Sequence, residues 1–343
     1  MKNLFLTVAA AIVFASATIF VACKGKTPNK PKEYVYDIYA AGYDNNGKRA
    51  IFWQNGKPTA LTDGNREATA ISVYVAGNDV YVVGYEKDEK EHFVPMLWQN
   101  GKPTVLTIKD GSENAAARSV YVVGNDVYIV GWDDKSAILW KNGEPTALTD
   151  DKNNTAVANS VFVDGADVYV AGYVVGADNN EATLWKNGKP TLLSGNSPEA
   201  NAKAVYVAGS DVYVAGYQKE GDKTVSQLWK NGKAVTLKAS QYDTFVQSLF
   251  VAGSDVYMVG YEDVKGKPKA TLWKNGETTS LTDGSSDMAI AFDVKVEGED
   301  VYASGFDGSK AILWKNGKPT EYSDGEKNAC VNSVFIVKRE VTK

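Results

Sequence analysis

The sequence predicts an all-β protein, a seven-bladed β-propeller of four-stranded antiparallel blades whose last blade is closed by the N- and C-terminal strands. Three observations predict it: a fixed repeat period, four β-type runs in each repeat, and two incomplete units at the chain ends. The core Trp-Lys/Gln-Asn-Gly recurs at intervals of 41 to 45 residues, a period typical of propellers, solenoids or arrays. Its seven tryptophans are Trp53, Trp98, Trp140, Trp185, Trp229, Trp273 and Trp314.

The repeat that begins at Ser72 shows the four strands, labelled A to D in chain order. Strand A (72–77) and strand B (80–85) flank a Gly-Asn-Asp step, which predicts a hairpin. After a polar loop, strand C (96–99) and strand D (102–107) flank Asn100-Gly101, and Asn-Gly is the strongest short hairpin signal because both residues accept positive φ. These strands are apolar on both faces, so they need cover on both sides, which blades packed face to face supply.

The chain ends indicate that the ring is closed. Strand A is expected to begin at six equivalent positions: Ser72, Ser119, Ser160, Ala204, Ser248 and Asp293. The chain starts with a unit that has strand B (37–43), strand C (50–54) and strand D (58–62) but no strand A. It ends with a lone strand A (333–337). The two half-units complete each other, so we expect the last strand to pair with residues 37–43 in a seventh blade.

The N-terminus has the features of an export signal. Met1-Lys2-Asn3 precedes an apolar run, and Phe20-Val21-Ala22-Cys23 resembles a bacterial lipobox, departing from it at Phe20, where Leu is usual. Cleavage near Ala15-Ser16-Ala17 and an uncleaved membrane anchor are the alternatives. The polar, proline-containing stretch that follows favours the lipoprotein interpretation. We therefore expect a signal peptide (1–22), lipidated Cys23 with a flexible tether (23–33), one propeller (34–338) and a tail (339–343).

Composition limits the partners. The net charge of −5 argues against nucleic-acid binding, which depends on clustered Lys and Arg. The two cysteines, Cys23 and Cys330, leave no disulfide if Cys23 is lipidated, and Cys330 is expected to be a small buried residue. The expected molecule is a monomer of the bacterial cell envelope, lipid-anchored in the outer membrane or at the cell surface.

Three regular residue sets suggest ligand chemistry, and each also has a structural explanation. The tryptophans could form a lectin-like ring, but their recurrence on apolar strands favours contact with the next blade. The aspartates that open strand B are expected to cap their own turns. Acidic pairs after strand D could bind calcium, yet none follows the twelve-residue loop pattern, and turn chemistry is the preferred explanation. These pairs are Asp63-Gly64, Asp110-Gly111, Asp150-Asp151, Asp283-Gly284 and Asp324-Gly325.

Catalytic signals are weak. The chain has one histidine, His92, in a variable loop, and no glycine-rich phosphate loop or sialidase-type box. We therefore predict a non-enzyme without catalytic residues, metal or cofactor. An enzyme that acts on a polysaccharide through carboxylates at the mouth of the channel is the alternative.

A candidate ligand site comes from comparing the repeats with one another. A–B and C–D turns share one face of the ring and are uniform, whereas the B–C loops on the other face differ in length and content. The residue immediately before the Ser position of strand A also varies freely, and we expect these residues to encircle the mouth of the central channel. They are Ile71, Arg118, Asn159, Lys203, Gln247, Phe292 and Asn332. Arg118 and Lys203 lie two blades apart and could address one anionic group.

The units Asp211–Tyr217 (Asp-Val-Tyr-Val-Ala-Gly-Tyr) and 281–284 (Leu-Thr-Asp-Gly), with the Trp-Lys-Asn-Gly core, carry a resemblance. The chain resembles a group of uncharacterised bacterial lipoproteins built from these repeats, from about residue 37 to 337. The resemblance implies the propeller fold and export, and it brings no function to transfer. The sequence thus favours a binding or scaffold protein for a glycan or protein ligand.

Overall fold

The structure, a computed structural model, describes residues 33–109, 112–149, 155–176, 179–195, 197, 199–323 and 328–341. Seven four-stranded antiparallel sheets form a ring, and each sheet has the order A-B-C-D from the ring axis outward. The predicted all-β seven-bladed propeller is therefore confirmed. The predicted signal peptide (1–22), Cys23 and the predicted tether up to residue 32 lie outside the described residues.

Strands, numbered along the chain, fall into four layers. The innermost strands A are β4 (Ala68–Ala76), β8 (Ala115–Val123), β12 (Ala156–Asp164), β16 (Ala200–Ala208), β20 (Asp243–Ala252), β24 (Ala289–Glu297) and β28 (Cys330–Glu340). Strands B are β1 (Tyr34–Asp44), β5 (Asp79–Lys87), β9 (Asp126–Asp133), β13 (Asp167–Val175), β17 (Asp211–Glu220), β21 (Asp255–Asp263) and β25 (Asp300–Asp307).

The outer half of each blade consists of a longer strand and a short edge strand. Strands C are β2 (Arg49–Gln54), β6 (Phe93–Gln99), β10 (Ser136–Lys141), β14 (Asn180–Lys186), β18 (Lys223–Lys230), β22 (Pro268–Lys274) and β26 (Lys310–Lys315). Strands D are β3 (Lys57–Ala60), β7 (Lys102–Val105), β11 (Glu144–Ala147), β15 (Lys189–Leu192), β19 (Lys233–Val235), β23 (Glu277–Ser280) and β27 (Lys318–Glu321). Short, charged edge strands resist pairing with other chains.

The two chain ends share one blade, as predicted. Blade 1 has the order β28-β1-β2-β3, and the antiparallel register runs from Tyr34 opposite Glu340 to Tyr43 opposite Cys330. Strand β28 continues to Glu340, two residues beyond the expected propeller boundary at 338. Blades 2 to 7 follow in chain order, from β4–β7 to β24–β27.

The hydrophobic core lies between adjacent blades. Trp53, in blade 1, packs against Tyr302, Leu313 and Tyr322 of blade 7, and Trp229, in blade 5, packs against residues of blade 4. The seven repeat tryptophans are at most 6 % exposed. They therefore fill the contacts between blades, as preferred over a lectin ring, although each one meets the preceding blade of the ring instead of the next.

Candidate functional site

A cavity of about 690 Å³ occupies the centre of the ring, a volume within the range of ligand pockets. Its wall consists mainly of the innermost strands. All seven residues of the predicted site line it: Ile71, Arg118, Asn159, Lys203, Gln247, Phe292 and Asn332. The structure therefore brings together the complete set, and each of these side chains is half-buried.

The seven residues point into the cavity for a reason that the sequence analysis missed. Each is the extra residue of a β-bulge, where the pairing of strand A with strand B shifts by one position, for example between Ala117 and Ser119 around Arg118. The same shift occurs in all seven blades. A bulge redirects a side chain and is frequent beside functional sites. The bulge, and not simple alternation along the strand, therefore turns these residues toward the cavity.

A glycine of strand B makes each bulge possible. At Gly216 an added Cβ would lie 1.9 Å from the carbonyl oxygen of Asn201, and the corresponding contact at Gly172 would be 2.0 Å from the carbonyl oxygen of Val157. Such contacts are far inside van der Waals distance. The Gly of the repeated Gly-Tyr pair is therefore required by the close approach of the bulged backbone.

A ring of aromatic side chains lies deeper in the cavity, three residues further along each strand A. Six of its seven positions carry Phe or Tyr, and successive ring centroids lie 4.8 or 4.9 Å apart. The six are Phe335, Tyr74, Tyr121, Phe162, Tyr206 and Phe250. Lys295 occupies the seventh position. This aromatic ring gives the cavity an apolar floor.

Hydroxyl groups between the bulges and the aromatic ring join neighbouring blades. The Ser333 hydroxyl accepts a hydrogen bond from the backbone N–H of Val73 (3.3 Å), and the same bond recurs from blades 2, 3 and 4 to the following blade. In blade 7 the position is Asp293, which accepts hydrogen bonds from Ser248 (2.9 Å) and Ser333 (3.0 Å). Asp293 also pairs with Lys295 at 3.0 Å. One carboxylate thus ties blades 6, 7 and 1 together.

The cavity wall has two basic side chains on strands two blades apart. The Nη1 of Arg118 donates a long hydrogen bond to Oδ1 of Asn159 (3.4 Å), whereas its Nε is buried without a partner. The Nζ of Lys203 lies 5.6 Å from the ring centroid of Tyr217. Burial, and secondly the charge of Arg118, lower the pKa of Lys203 to about 8. Burial lowers the pKa of Arg118 as well.

Two of the remaining wall residues form hydrogen bonds between neighbouring blades. The amide of Asn159 donates to the carbonyl oxygen of Ala202 (2.9 Å), and that of Asn332 donates to the carbonyl oxygen of Ala70 (2.9 Å). These two asparagines therefore bridge blades. Phe292 packs against Phe306 at 6.0 Å between centroids. Ile71 and Gln247 complete the wall.

The opposite face is uniform, because its turn residues form the same hydrogen bond in every blade. In each blade the Asn of the C–D turn donates from Nδ2 to the strand-B aspartate, at 2.8–3.0 Å. The turns have positive φ at Asn (50–54°) and Gly (75–87°), as a type I′ turn requires. The aspartates are thus turn residues, as expected, but they bind the asparagine of the neighbouring hairpin and are not seen capping their own backbone.

Among the described residues, the other candidate groups do not form a second site. Cys330 is buried, as expected, and burial raises the pKa of its thiol. Among the described residues no group of three or more His, Cys, Asp or Glu side chains could hold a metal ion. The pairs Asp110-Gly111, Asp150-Asp151 and Asp324-Gly325 lie outside the described residues. No helix in the described part of the chain is long and apolar enough to cross a membrane.

Comparisons with known proteins add little. No family model matches the chain, and no curated protein matches it. Among solved structures, the chain is similar to the computationally designed Ika8 protein, at 14 % identity and a TM-score of 0.47, over 85 % of this chain and 88 % of that one. It is also similar to a chain of a nidogen–laminin complex, at 11 % identity and a TM-score of 0.46, over 88 % and 98 %. Both similarities are too distant to bear on function.

Proposed function

We propose that this protein is a binding or scaffold module of the bacterial cell envelope that takes a glycan or protein ligand in the central cavity. The observation that carries the proposal is the ring of bulge residues. In a repeat whose core and turn residues are nearly constant, the cavity-lining position that changes most from blade to blade points into a cavity of about 690 Å³.

The chemistry of the wall supports binding over hydrolysis. Asp293 is the one carboxylate among the described residues that line the cavity. Its oxygens already accept bonds from two serines and from the backbone N–H groups of Val294 and Val334. Glycoside hydrolysis by the common mechanism needs two carboxyl groups on either side of the scissile bond. The wall therefore favours a non-enzyme over the alternative, a polysaccharide-active enzyme.

A glycan-array and pull-down screen of protein starting at Lys24 tests the proposal. Once a ligand is in hand, Arg118→Ala and Phe292→Ala are each expected to weaken it by about 1–3 kcal/mol, as truncation of a contact residue does. Lys186→Ala, which removes a cation from the turn face, is the matched control and should bind normally. If both cavity variants bind normally while changes in the Asn-Gly turns abolish binding, the ligand occupies the other face.

The envelope location rests on the Ala22-Cys23 junction after the apolar run and on the polar tether. We expect Cys23→Ala to release the protein from the membrane fraction, because the lipid attached at this thiol would be the anchor. Cell fractionation with an antibody to the propeller measures this. A variant that stays in the membrane as before would show that the N-terminal segment itself is the anchor, or that the segment is not a lipoprotein signal.

A further inference from the structure

The central cavity has an excess of positive charge although the chain as a whole is acidic. Its described lining residues include three basic side chains, Arg118, Lys203 and Lys295, against one carboxylate, Asp293. The whole chain has a net charge of −5. A concave, partly desolvated wall of one sign attracts ligands of the opposite sign.

Two of the three cations have no acidic partner in the described part of the chain. Lys295 is paired with Asp293, at 3.0 Å. Arg118 and Lys203 appear in none of the ion pairs among the described residues, and the buried Nε of Arg118 has no hydrogen-bond acceptor there. Leaving a buried charge unpaired costs free energy, so the two groups destabilise the ring as long as no anion pairs with them.

By contrast, cations on the turn face, which are more exposed, have acidic partners. On the turn face, five lysines that follow the repeat tryptophans contact the strand-B aspartates at 2.6–2.9 Å: Lys141, Lys186, Lys230, Lys274 and Lys315. The fold also accepts neutral side chains at the bulge position, namely Ile71, Asn159, Gln247, Phe292 and Asn332. Folding therefore does not require Arg118 or Lys203, and their charge is available to a ligand.

We propose that the cavity binds a compact organic anion, a sugar-sized ring bearing one carboxylate or phosphate group, with that group held between Arg118 and Lys203. This assignment rests on the proposed function and names its ligand class. The planar guanidinium of Arg118 offers several N–H donors to a carboxylate or phosphate, and Lys203 adds a mobile ammonium. The neutral part of the ligand lies against Phe292 and the aromatic floor, where ring faces suit apolar C–H surfaces.

The lowered pKa of Lys203 agrees with this arrangement. Burial and the charge of Arg118 disfavour the ammonium form in the empty cavity. An anion between the two groups offsets both effects, because it is an opposite charge at close range.

Isothermal titration at constant ionic strength with glucose, glucuronate and glucose 6-phosphate tests the inference. The three probes share a ring and differ in the anionic group. We expect at least one of the two anions to bind at least about tenfold more tightly than glucose, since a charge-assisted hydrogen bond contributes more than a neutral one. The tighter anion identifies the source of the negative charge as carboxylate or phosphate.

Variants then locate the site. Arg118→Gln and Lys203→Gln introduce a side chain that blade 6 already has at this position, so both should fold, which melting temperature checks. Each should weaken the bound anion at least about tenfold, whereas Lys186→Gln, with the same charge change on the turn face, should not. Equal binding of glucose and the anions, no anion binding at millimolar concentration, or equal losses in Lys186→Gln would each overturn the inference. A neutral ligand recovered by the glycan screen and weakened by Phe292→Ala would still support the proposed function.

Discussion

At the scale of the residue, a single position in each repeat presents the most variable side chain of the cavity wall. The bulge residue carries the variation, and the residues around it are constrained by contacts that vary little. In blade 4, for example, Ala158 is buried, the Ser160 hydroxyl accepts a bond from the next blade, and Gly172 lies beneath the carbonyl oxygen of Val157. Asn159 faces the cavity, as do Ser160 and Phe162 further along the strand. A variable position and strongly constrained positions thus lie within a few residues of one another in strand A.

Gly172→Ala tests the bulge geometry. The new Cβ would lie 2.0 Å from the carbonyl oxygen of Val157, so strand A or strand B must move, and we expect a loss of at least about 2 kcal/mol in the free energy of unfolding. Urea denaturation measures this. Gly176→Ala is the matched control in the same blade, with a nearest atom at 3.2 Å, and it should change stability by less than about 1 kcal/mol. Equal stability of the two variants would contradict the bulge.

The sequence identified residues that line the cavity but not the reason for their orientation. A variable position before a recurring Ser is visible when repeats are compared, and Arg118 and Phe292 are conspicuous there. A β-bulge is a property of pairing between two strands, so no run of letters in strand A alone reveals it. The hydroxyls at Ser72 and Ser119 were seen as a marker of strand A, and their partners on the next blade depend on the ring geometry.

At the scale of the element, strand A has three structural roles along its length. It offers a bulge side chain to the cavity, binds the next blade through a hydroxyl, and contributes a ring to the aromatic floor. The sequence predicts these strands, but with a start at the Ser position. The structure begins them about four residues earlier, at Ala68 in blade 2, because pairing with strand B resumes on the other side of the bulge.

The aromatic floor is the element-level feature that the sequence analysis missed. The sequence does contain a pattern that indicates this floor: the second residue after the Ser position is aromatic in six blades, for example Tyr74 and Phe162. In the sequence these residues look like ordinary strand aromatics. Their contacts at 4.8–4.9 Å join different blades, so only closure of the ring brings them together.

Truncation of strand β28 tests the closure of blade 1. Deleting residues after Asn328 removes the partner of Tyr34–Tyr43 and the buried side chains of Val331 and Val334. We expect a loss of more than about 5 kcal/mol of stability, since several core side chains disappear together, and aggregation through the exposed edge of β1. Melting temperature and size-exclusion elution measure both effects. Deleting only residues after Val341 leaves the strand whole and serves as the control.

An unchanged melting temperature together with monomeric elution of the longer truncation would contradict the closed seven-bladed ring. That result would be incompatible with the structure, because the hydroxyl of Ser333 also forms hydrogen bonds with Asp293 of blade 7 and with the backbone N–H of Val73 of blade 2. Loss of β28 therefore affects three blades.

At the scale of the whole molecule, the ring separates charge by face and depth. The turn face holds repeated Asp–Lys pairs, which cancel locally, whereas the centre keeps Arg118 and Lys203 without acidic partners in the described part of the chain. This separation could not be predicted from the net charge of −5, because that value says nothing about where the charges lie. It follows from the placement of two variable residues in one cavity.

The titration of Lys203 tests this central claim most directly. NMR of the lysine side chains, with Lys203→Arg used for assignment, measures its pKa in the protein without ligand. The account predicts a pKa of about 8, because burial and the charge of Arg118 both disfavour the ammonium form, and it predicts a pKa above the ordinary value for Lys186, which is paired with Asp167. Arg118→Gln should raise the pKa of Lys203. A Lys203 that titrates at or above the usual 10.5 would show that its charge is solvated or already paired, which would contradict a buried ammonium without an acidic partner.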